Sequence, residues 1–465
     1  MDPSDAGRQS DAESRPPFLG EIAGKRAVVM GIGRFGGGEA AARHLHGLGA
    51  RVLATDLAPR DEISDAADRL LELGVECRLG GHRSSDFRDA DIVVVNPGVP
   101  RPWENEFVRT ARENGARLLT EIQIALGDRD PRKVVGITGS AGKSTTTAMT
   151  AHALRTVRPD LPVAVAGNIG GSLLDDPPAA ESSIVAELSS FMLYWMCYED
   201  ATEADHYSTG VCAVTNIRAN HLDWHGSLAH YEACKNAIRK RSKGHPRPIE
   251  VEIGNDEIAR RIEDELVLGV PGEHNRRNAD LAIRLSLAHL ACREGTAPPP
   301  ELLGSLIASL RHFKGLPHRL ELVGSWRGVR VLNDSKASTP EATLLAVESC
   351  RPEHRIHLIA GGYDKGADLS PIRDLADRVA GIYAIGQTAS QLVGRRGGID
   401  LGNLEAATRC AVERAVEGDT ILLSPGCASW DQFRNYEDRG RAFAEMARRL
   451  LQPPGDHVDR AHDRA

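Results

Sequence analysis

No apolar run in this 465-residue chain approaches the roughly 20 residues that a membrane helix needs. The polar N-terminus, MDPSDAGRQSDAESRPP, has no apolar core of the kind a secretory signal carries, so a cytoplasmic location is expected. A basic excess is also missing. Lys and Arg number 57 against 65 Asp and Glu, a formal net charge of -8, which argues against a nucleic-acid partner. None of the eight cysteines forms a C-x-x-C pair. Reduced thiols are therefore expected, rather than a disulfide frame or a zinc site. Tandem repeats of short period are absent as well.

What remains is an ordinary globular composition, 41% hydrophobic and 26% charged, with enough apolar residues for a real core. At roughly 150 residues per domain the length predicts about three domains. Residues 1–20 and 454–465 carry little to bury and read as disordered tails. Between them, strand and helix signals alternate. Strands are predicted at 26–30, 51–55 and 91–95, with a helix through 39–48. The pattern resumes with a strand at 133–138, a loop at 139–142 and a helix at 144–155. Further strands are predicted at 183–187 and 210–217, and a helix from 275 to about 292. A third segment has strands at 329–332, 356–360, 382–385 and 420–424. This β-α-β grammar predicts parallel sheets with ligand loops at the strand C-termini. The expected fold class is α/β in three domains, at 21–130, 131–314 and 315–453.

Residues 136–147, GITGSAGKSTTT, stand between a predicted strand and a predicted helix. Glycines there let backbone N–H groups approach phosphates, and a helix N-terminus adds a favourable dipole. Gly139, Ser140, Ala141, Gly142, Lys143, Ser144 and Thr145 form the expected ATP loop. Lys143 would neutralise the β- and γ-phosphates and the Ser144 hydroxyl would ligate Mg²⁺. The spacing is the shorter G-x-x-G-K-[ST]-T form, since Ile137 stands where the long form needs glycine. Gly31-Ile-Gly33-Arg-Phe-Gly36, with Asp56 at the end of the next strand, literally matches the dinucleotide fingerprint. Its physical content is a pyrophosphate at a helix N-terminus and an acid near a ribose or base, which a nucleoside-diphosphate sugar satisfies equally. A dehydrogenase reading would leave the phosphate loop unexplained, and no hydride-transfer constellation follows it.

Further segments occur in a fixed order: AGNIG (166–170), ELSSF (187–191), NIRANHLDWHGS (216–227) with Lys235, PGEHNRRN (271–278), GLPHRLE (315–321), NDSKAST (333–339), GGYDKG (361–366) and LLSPGCASWDQFRNYEDRG (422–440). Over residues 23 to 452 the chain resembles the Mur ligases, ATP-dependent amino-acid ligases of peptidoglycan precursor synthesis. The resemblance implies a Rossmann-like UDP-binding domain, a central P-loop ATPase-like domain and a C-terminal Rossmann-like domain. It further implies activation of a carboxylate as an acyl phosphate, and the last segment points to D-glutamate joined to UDP-N-acetylmuramoyl-L-alanine. A ligase for L-glutamate or another amino acid would look similar. A catalytically dead homologue is disfavoured because Lys143, Glu187, His221 and Lys235 are all present.

The residue roles implied by the resemblance are as follows. Lys143, Asn168, His221 and Lys235 would be catalytic. Ser144 and Glu187 would hold one Mg²⁺, and His221 with a carbamylated Lys235 a second. Bare lysine cannot serve, because Mg²⁺ takes oxygen ligands. Asn275, Asn278, Arg319, Asp334 and Lys336 would contact ATP. Ser338, Lys365, Ser429 and Tyr436 would form the glutamate pocket. Gly33, Asp56, Asn96 and Gly98 would meet the UDP moiety. The family's habit suggests a monomer. Asn220 stands where an acid is usual and Trp224 where an arginine is usual. The segment between Lys235 and Gly272 is short, so part of the central sheet is expected to be trimmed.

Overall fold

The computed structural model describes residues 18–33, 36–198, 205–242, 247–268, 270, 272–350, 355–394 and 398–451. The tails expected at 1–20 and 454–465 lie outside these residues except for 18–20. Among the described residues the fold holds three sheets in chain order. The first contains β1 (Arg26–Met30), β2 (Arg51–Asp56), β3 (Glu76–Leu79), β4 (Ile92–Val95) and β5 (Arg117–Leu119), in the order β3-β2-β1-β4-β5. The second contains β6 (Val134–Thr138), β7 (Val163–Gly167), β8 (Ser183–Glu187), β9 (Val211–Val214) and β10 (Ile249–Glu250), in the order β10-β9-β6-β8-β7. The third contains β11 (Glu321–Trp326), β12 (Val329–Asn333), β13 (Ile356–Gly361), β14 (Gly381–Ile385), β15 (Gly398–Gly402) and β16 (Thr420–Leu423), in the order β11-β12-β16-β13-β14-β15. Among the described strands only β11 pairs antiparallel, with β12.

The central strands read as short apolar runs because helices cover both faces of a parallel sheet. All five residues of β6 are buried. Val134, Val135 and Ile137 each contribute about 1.5–3 kcal/mol by burial. That outweighs the roughly 0.5–1 kcal/mol lost at each glycine needed to shape the loop that follows. Strands 76–79, 117–119, 163–167 and 398–402 were not legible in the sequence, being short or only partly buried. The strand predicted at 210–217 ends at Val214, because the chain leaves the sheet there to brace the phosphate loop. The trimmed edge expected after Lys235 is closed by β10, two residues long and parallel to β9. Brevity of this kind blunts an exposed sheet edge.

By its contacts the chain divides into two compact units, Met1–Ala259 with Asp280–Leu306, and Arg260–Ala279 with Ile307–Ala465. The first two sheets share the first unit. One apolar cluster explains this. Val28, Met30, Val93 and Val95 of the first sheet pack with Tyr194, Trp195, Trp224 and Cys234. Gln123 adds hydrogen bonds of 3.0 Å from its amide nitrogen to the Trp195 and Asp205 carbonyls. Phe18 and Leu19 lie against the other face of the first sheet. Among the described residues no helix is long and apolar enough to cross a membrane.

Candidate active site

The phosphate loop sits where β6 ends and the helix Lys143–Val157 begins. Gly142 caps that helix at φ 83° and, being glycine, offers no side-chain cap. The loop is held from behind by the chain after β9. Ser140 N donates to Asn216 O (2.8 Å), and Ala141 N to Asn216 Oδ1 (3.1 Å). Thr215 Oγ1 and Asn216 Nδ2 donate to Ala141 O at 2.6 and 2.9 Å. Ser140 Oγ lies 2.8 Å from Tyr231 OH and accepts from Arg218 N (2.9 Å). Gly139 has φ 143°, and a Cβ there would lie 1.9 Å from Thr215 Oγ1. Gly139→Ala is expected to cost about 1–3 kcal/mol in backbone strain and to weaken ATP binding. Chemical denaturation and nucleotide titration check it; unchanged values in both would overturn the loop assignment.

Lys235 comes from the helix Leu228–Asn236 and is 2% exposed. Its Nζ lies 3.4 Å from Thr138 Oγ1 and 4.7 Å from the centre of the Tyr231 ring. Burial lowers its pKa to about 7, the nearby Lys143 charge adds to this, and Glu187 opposes it. The amine is thus substantially neutral near pH 7 and has the lone pair that attack on CO₂ requires. Glu187 ends β8, is 3% exposed, and has an Oε2 with no hydrogen-bond partner among the described residues. A buried unpaired carboxylate oxygen is costly unless something positive meets it. Ser144 is also buried, in the first turn of the helix. Asn168 is brought alongside by the Gly167 turn, and its N–H donates to Glu187 O at 3.0 Å.

His221 sits at φ 53°, in the left-handed region that non-glycine residues seldom adopt. Its imidazole pKa is lowered chiefly by desolvation, with Asp223 opposing and Lys143 and Lys235 reinforcing the shift. A neutral imidazole keeps a lone pair for a metal. Asn220, found where an acid was expected, accepts from His221 N at 2.9 Å and so braces the strained backbone. Trp224 is buried in the aromatic cluster and stacks on Phe191 at 4.7 Å. The hydroxyl of Ser144 and the carboxylate of Glu187 fit a hard divalent cation, and a carbamate on Lys235 would add oxygens beside His221. Thr138 and Tyr231, both in contact with Lys235, were missed by sequence reasoning. Tyr231 stands four residues before Lys235 on one helix, a spacing that could have revealed it.

In the first sheet the four expected UDP residues do come together at the strand C-termini. Gly33 N donates to Asp56 Oδ2 (2.9 Å), and Gly98 N to Asn96 Oδ1 (2.9 Å). The Asn96 amide lies 3.0 Å from where a Cβ on Gly33 would be. Arg34 and Phe35, between the fingerprint glycines, lie outside the described residues.

In the second unit, Asn275 and Asn278 share a buried helix face, Asn278 Nδ2 donating to Asn275 Oδ1 at 3.3 Å. Asp334 is buried, and that burial raises its pKa to about 7 despite hydrogen bonds from Ser424 Oγ (2.8 Å) and Leu320 N (3.2 Å) and the Arg319 charge. Lys336 lies 5.2 Å over the Tyr436 ring. Ser338 and Lys365 line a cavity of about 440 Å³ together with Tyr363, Thr388 and Cys427. Ser429 and Tyr436 do not line it. Ser429 is buried, its carbonyl accepting from Gln432 N and Phe433 N, and Tyr436 opens the last helix beside Lys336. Sequence reasoning also missed Arg439. It is 1% exposed and donates to the carbonyls of Ser335, Cys427 and Ala428, tying the 333–339 loop to the 424–430 loop.

Family models match in two places. Residues 137–267 match the Mur ligase middle domain and residues 318–427 the Mur ligase glutamate ligase domain. The chain belongs to the Mur ligase family. Relatives named UDP-N-acetylmuramoylalanine–D-glutamate ligase align over nearly the whole chain. The one from Koribacter versatilis is 31% identical over 93% of this chain and 99% of its own length. Those from Enterococcus hirae and Roseiflexus sp. are 33% and 34% identical, each over 92% of this chain and over 96% and 99% of their own lengths. Among solved structures, UDP-N-acetylmuramate-alanine ligase from Thermotoga maritima shares the fold. Its TM-score is 0.52 at 18% identity, covering 92% of this chain and 98% of that one.

Proposed function

We propose that this chain adds D-glutamate to UDP-N-acetylmuramoyl-L-alanine with cleavage of ATP to ADP and phosphate, as a cytoplasmic monomer in peptidoglycan precursor synthesis. The observation that carries the chemistry is the buried Lys235, held near neutrality beside Lys143 and Glu187. The substrates come from the names of relatives that align end to end.

The γ-phosphoryl group passes to the acceptor carboxylate and forms an acyl phosphate. The amino group of glutamate then attacks the acyl carbon, phosphate leaves, and the amine loses a proton. Two anions must meet in the first step, so the site needs fixed positive charge. Lys143 supplies part of it, and the first-turn amides of the Lys143–Val157 helix add their dipole. When bound at Ser144 and Glu187, and at His221 with a carbamylated Lys235, Mg²⁺ supplies the rest. Asn168 helps orient that site. Asn275, Asn278, Arg319, Asp334 and Lys336 keep the nucleotide-contact roles that the family resemblance gives them. Gly33, Asp56, Asn96 and Gly98 form the UDP seat. Ser338 and Lys365, which line one cavity, bind the glutamate carboxylates.

Lys365→Ala is expected to raise the KM for glutamate about 10- to 100-fold, the size of one charged hydrogen bond of about 1.5–3 kcal/mol. The KM for ATP should stay within about twofold. If ATP suffers instead, the pocket is misplaced. The defining assay is phosphate release with UDP-N-acetylmuramoyl-L-alanine and either D- or L-glutamate. Turnover that requires D-glutamate supports the proposal. Turnover with L-glutamate alone, or with neither, overturns it.

A further inference from the structure

His225, His230 and Cys234 bring three ligand atoms within 4.8 Å of one another, beside the helix that carries Lys235. His230 and Cys234 are four residues apart on that helix and share a face. His225 is delivered by the short preceding helix Leu222–His225, so one local segment builds the cluster. His225 and Cys234 are buried and His230 is half-buried, which leaves one ligand reachable from solvent. Trp103 and Tyr198 pack edge-on to His230 at ring distances of 4.6 and 5.3 Å, and Trp224 sits 4.5 Å from His225.

We propose that His225, His230 and Cys234 form a thiolate and imidazole site for a borderline-soft divalent cation of the Zn²⁺ class, separate from the Mg²⁺ positions. Four facts support it. First, two imidazoles and a thiol suit zinc, whereas Mg²⁺ takes oxygen. Second, zinc bond lengths of about 2.0–2.3 Å put tetrahedral ligands roughly 3.3–3.8 Å apart. His225 Nδ1 lies 3.0 Å from His230 Nδ1 and Cys234 Sγ lies 3.7 Å from His230 Nε2, but an ion takes only one nitrogen of the His230 ring, so the three ligand atoms, within 4.8 Å of one another, close by about 1 Å on binding. Third, His225 Nε2 lies 2.9 Å from Ser190 Oγ. With Nε2–H donated to that hydroxyl, Nδ1 carries the lone pair toward the cluster, the outer-shell arrangement typical of metal-bound histidine. Fourth, three protein ligands leave one of the four tetrahedral positions for a solvent molecule. On binding, the Cys234 thiol proton passes to buffer and the sulfur–metal bond forms with no change of oxidation state.

The spacing of these residues fits no familiar zinc motif, and the scattered cysteines gave no sign of the site in the sequence. Its position matters because Cys234 immediately precedes Lys235. A bound cation pins the helix that presents the lysine.

The test is titration of the full, untagged, metal-free chain with Co²⁺, followed by displacement with Zn²⁺. The expected result is about one equivalent bound with a near-ultraviolet thiolate-to-cobalt band and strong visible bands of a tetrahedral ion. Cys234→Ser should abolish the near-ultraviolet band. His230→Gln, at a half-buried position that tolerates a polar side chain, should weaken Zn²⁺ binding at least about 10-fold, and Ser190→Ala by about 10-fold. No thiolate band, or equal affinity in wild type, Cys234→Ser and His230→Gln, would overturn the proposal. Cobalt at the Mg²⁺ positions lacks thiolate and gives no such band. Because the readout is spectroscopic, it stands whether or not the chain turns over its proposed substrates.

Discussion

Lys235→Ala is expected to lower turnover by at least about 10³-fold, as withdrawal of about 4 kcal/mol of transition-state charge stabilisation requires. The side chain is 2% exposed, touches Thr138 Oγ1 and lies over Tyr231. Burial and the Lys143 charge bring its pKa to about 7. An ordinary lysine, near 10.4, is almost wholly protonated at neutral pH and cannot attack CO₂. Here the neutral amine is abundant. In the proposed carbamate its nitrogen would bond to the carbon of CO₂ with release of a proton, and a carbamate oxygen would become available to a hard cation. Removing Lys235 leaves space for a small carboxylate, so added formate or acetate should restore part of the activity. The measurement is steady-state phosphate release with and without formate, with thermal unfolding as a control on folding. A folded variant with full turnover would mean that Lys235 is no ligand. A folded, inactive variant that formate never rescues would remove the carbamate and leave only a positioning role.

Lys143→Ala is expected to abolish phosphoryl transfer to a comparable extent. The Lys143 ammonium lies 3.2 Å from Ser140 O within its own loop, so it is already placed at the helix N-terminus where phosphates collect. Loss of its charge removes direct screening of the γ-phosphate. It has a second effect, because Lys143 is one of the causes of the low Lys235 pKa. Without it, Lys235 becomes more basic and holds less neutral amine at a given pH. Lys143→Arg restores charge but not shape, since a guanidinium is a planar fork and an ammonium a compact point charge. It should therefore recover the Lys235 effect better than the phosphoryl-transfer step. Single-turnover ADP formation reads the first, and formate-independent activity at raised CO₂ reads the second. Undiminished ADP formation in Lys143→Ala would overturn the phosphate-loop assignment.

Much of the architecture was legible because its causes are local. Val134–Thr138 reads as a buried strand from its apolar run. Gly139 and Gly142 read as a loop because backbone at φ 143° and 83° favours glycine. The four residues expected to meet UDP stand at strand ends, where β-α-β grammar puts ligand loops. Of the four residues expected to form the glutamate pocket, the structure brings two to one cavity. Ser338 and Lys365 line that cavity, whereas Ser429 and Tyr436 do not, because their side-chain directions follow from loop and helix packing that spacing along the chain does not encode.

The sequence by itself determined the succession of strands, glycine loops and helices, and with it the phosphate loop and the family. These follow from hydrophobic period, backbone freedom and motif order, all properties of neighbouring residues. Only the tertiary structure decided that Lys235 meets Thr138 across 97 residues of chain, that Glu187 keeps an unpaired oxygen, and that Arg439 ties two loops. It also gathered His225, His230 and Cys234 among aromatic rings. The reason is physical. A pKa near 7, an orphaned carboxylate oxygen and a ligand cluster are effects of burial and of charges brought close through space, and spacing along the chain does not encode them.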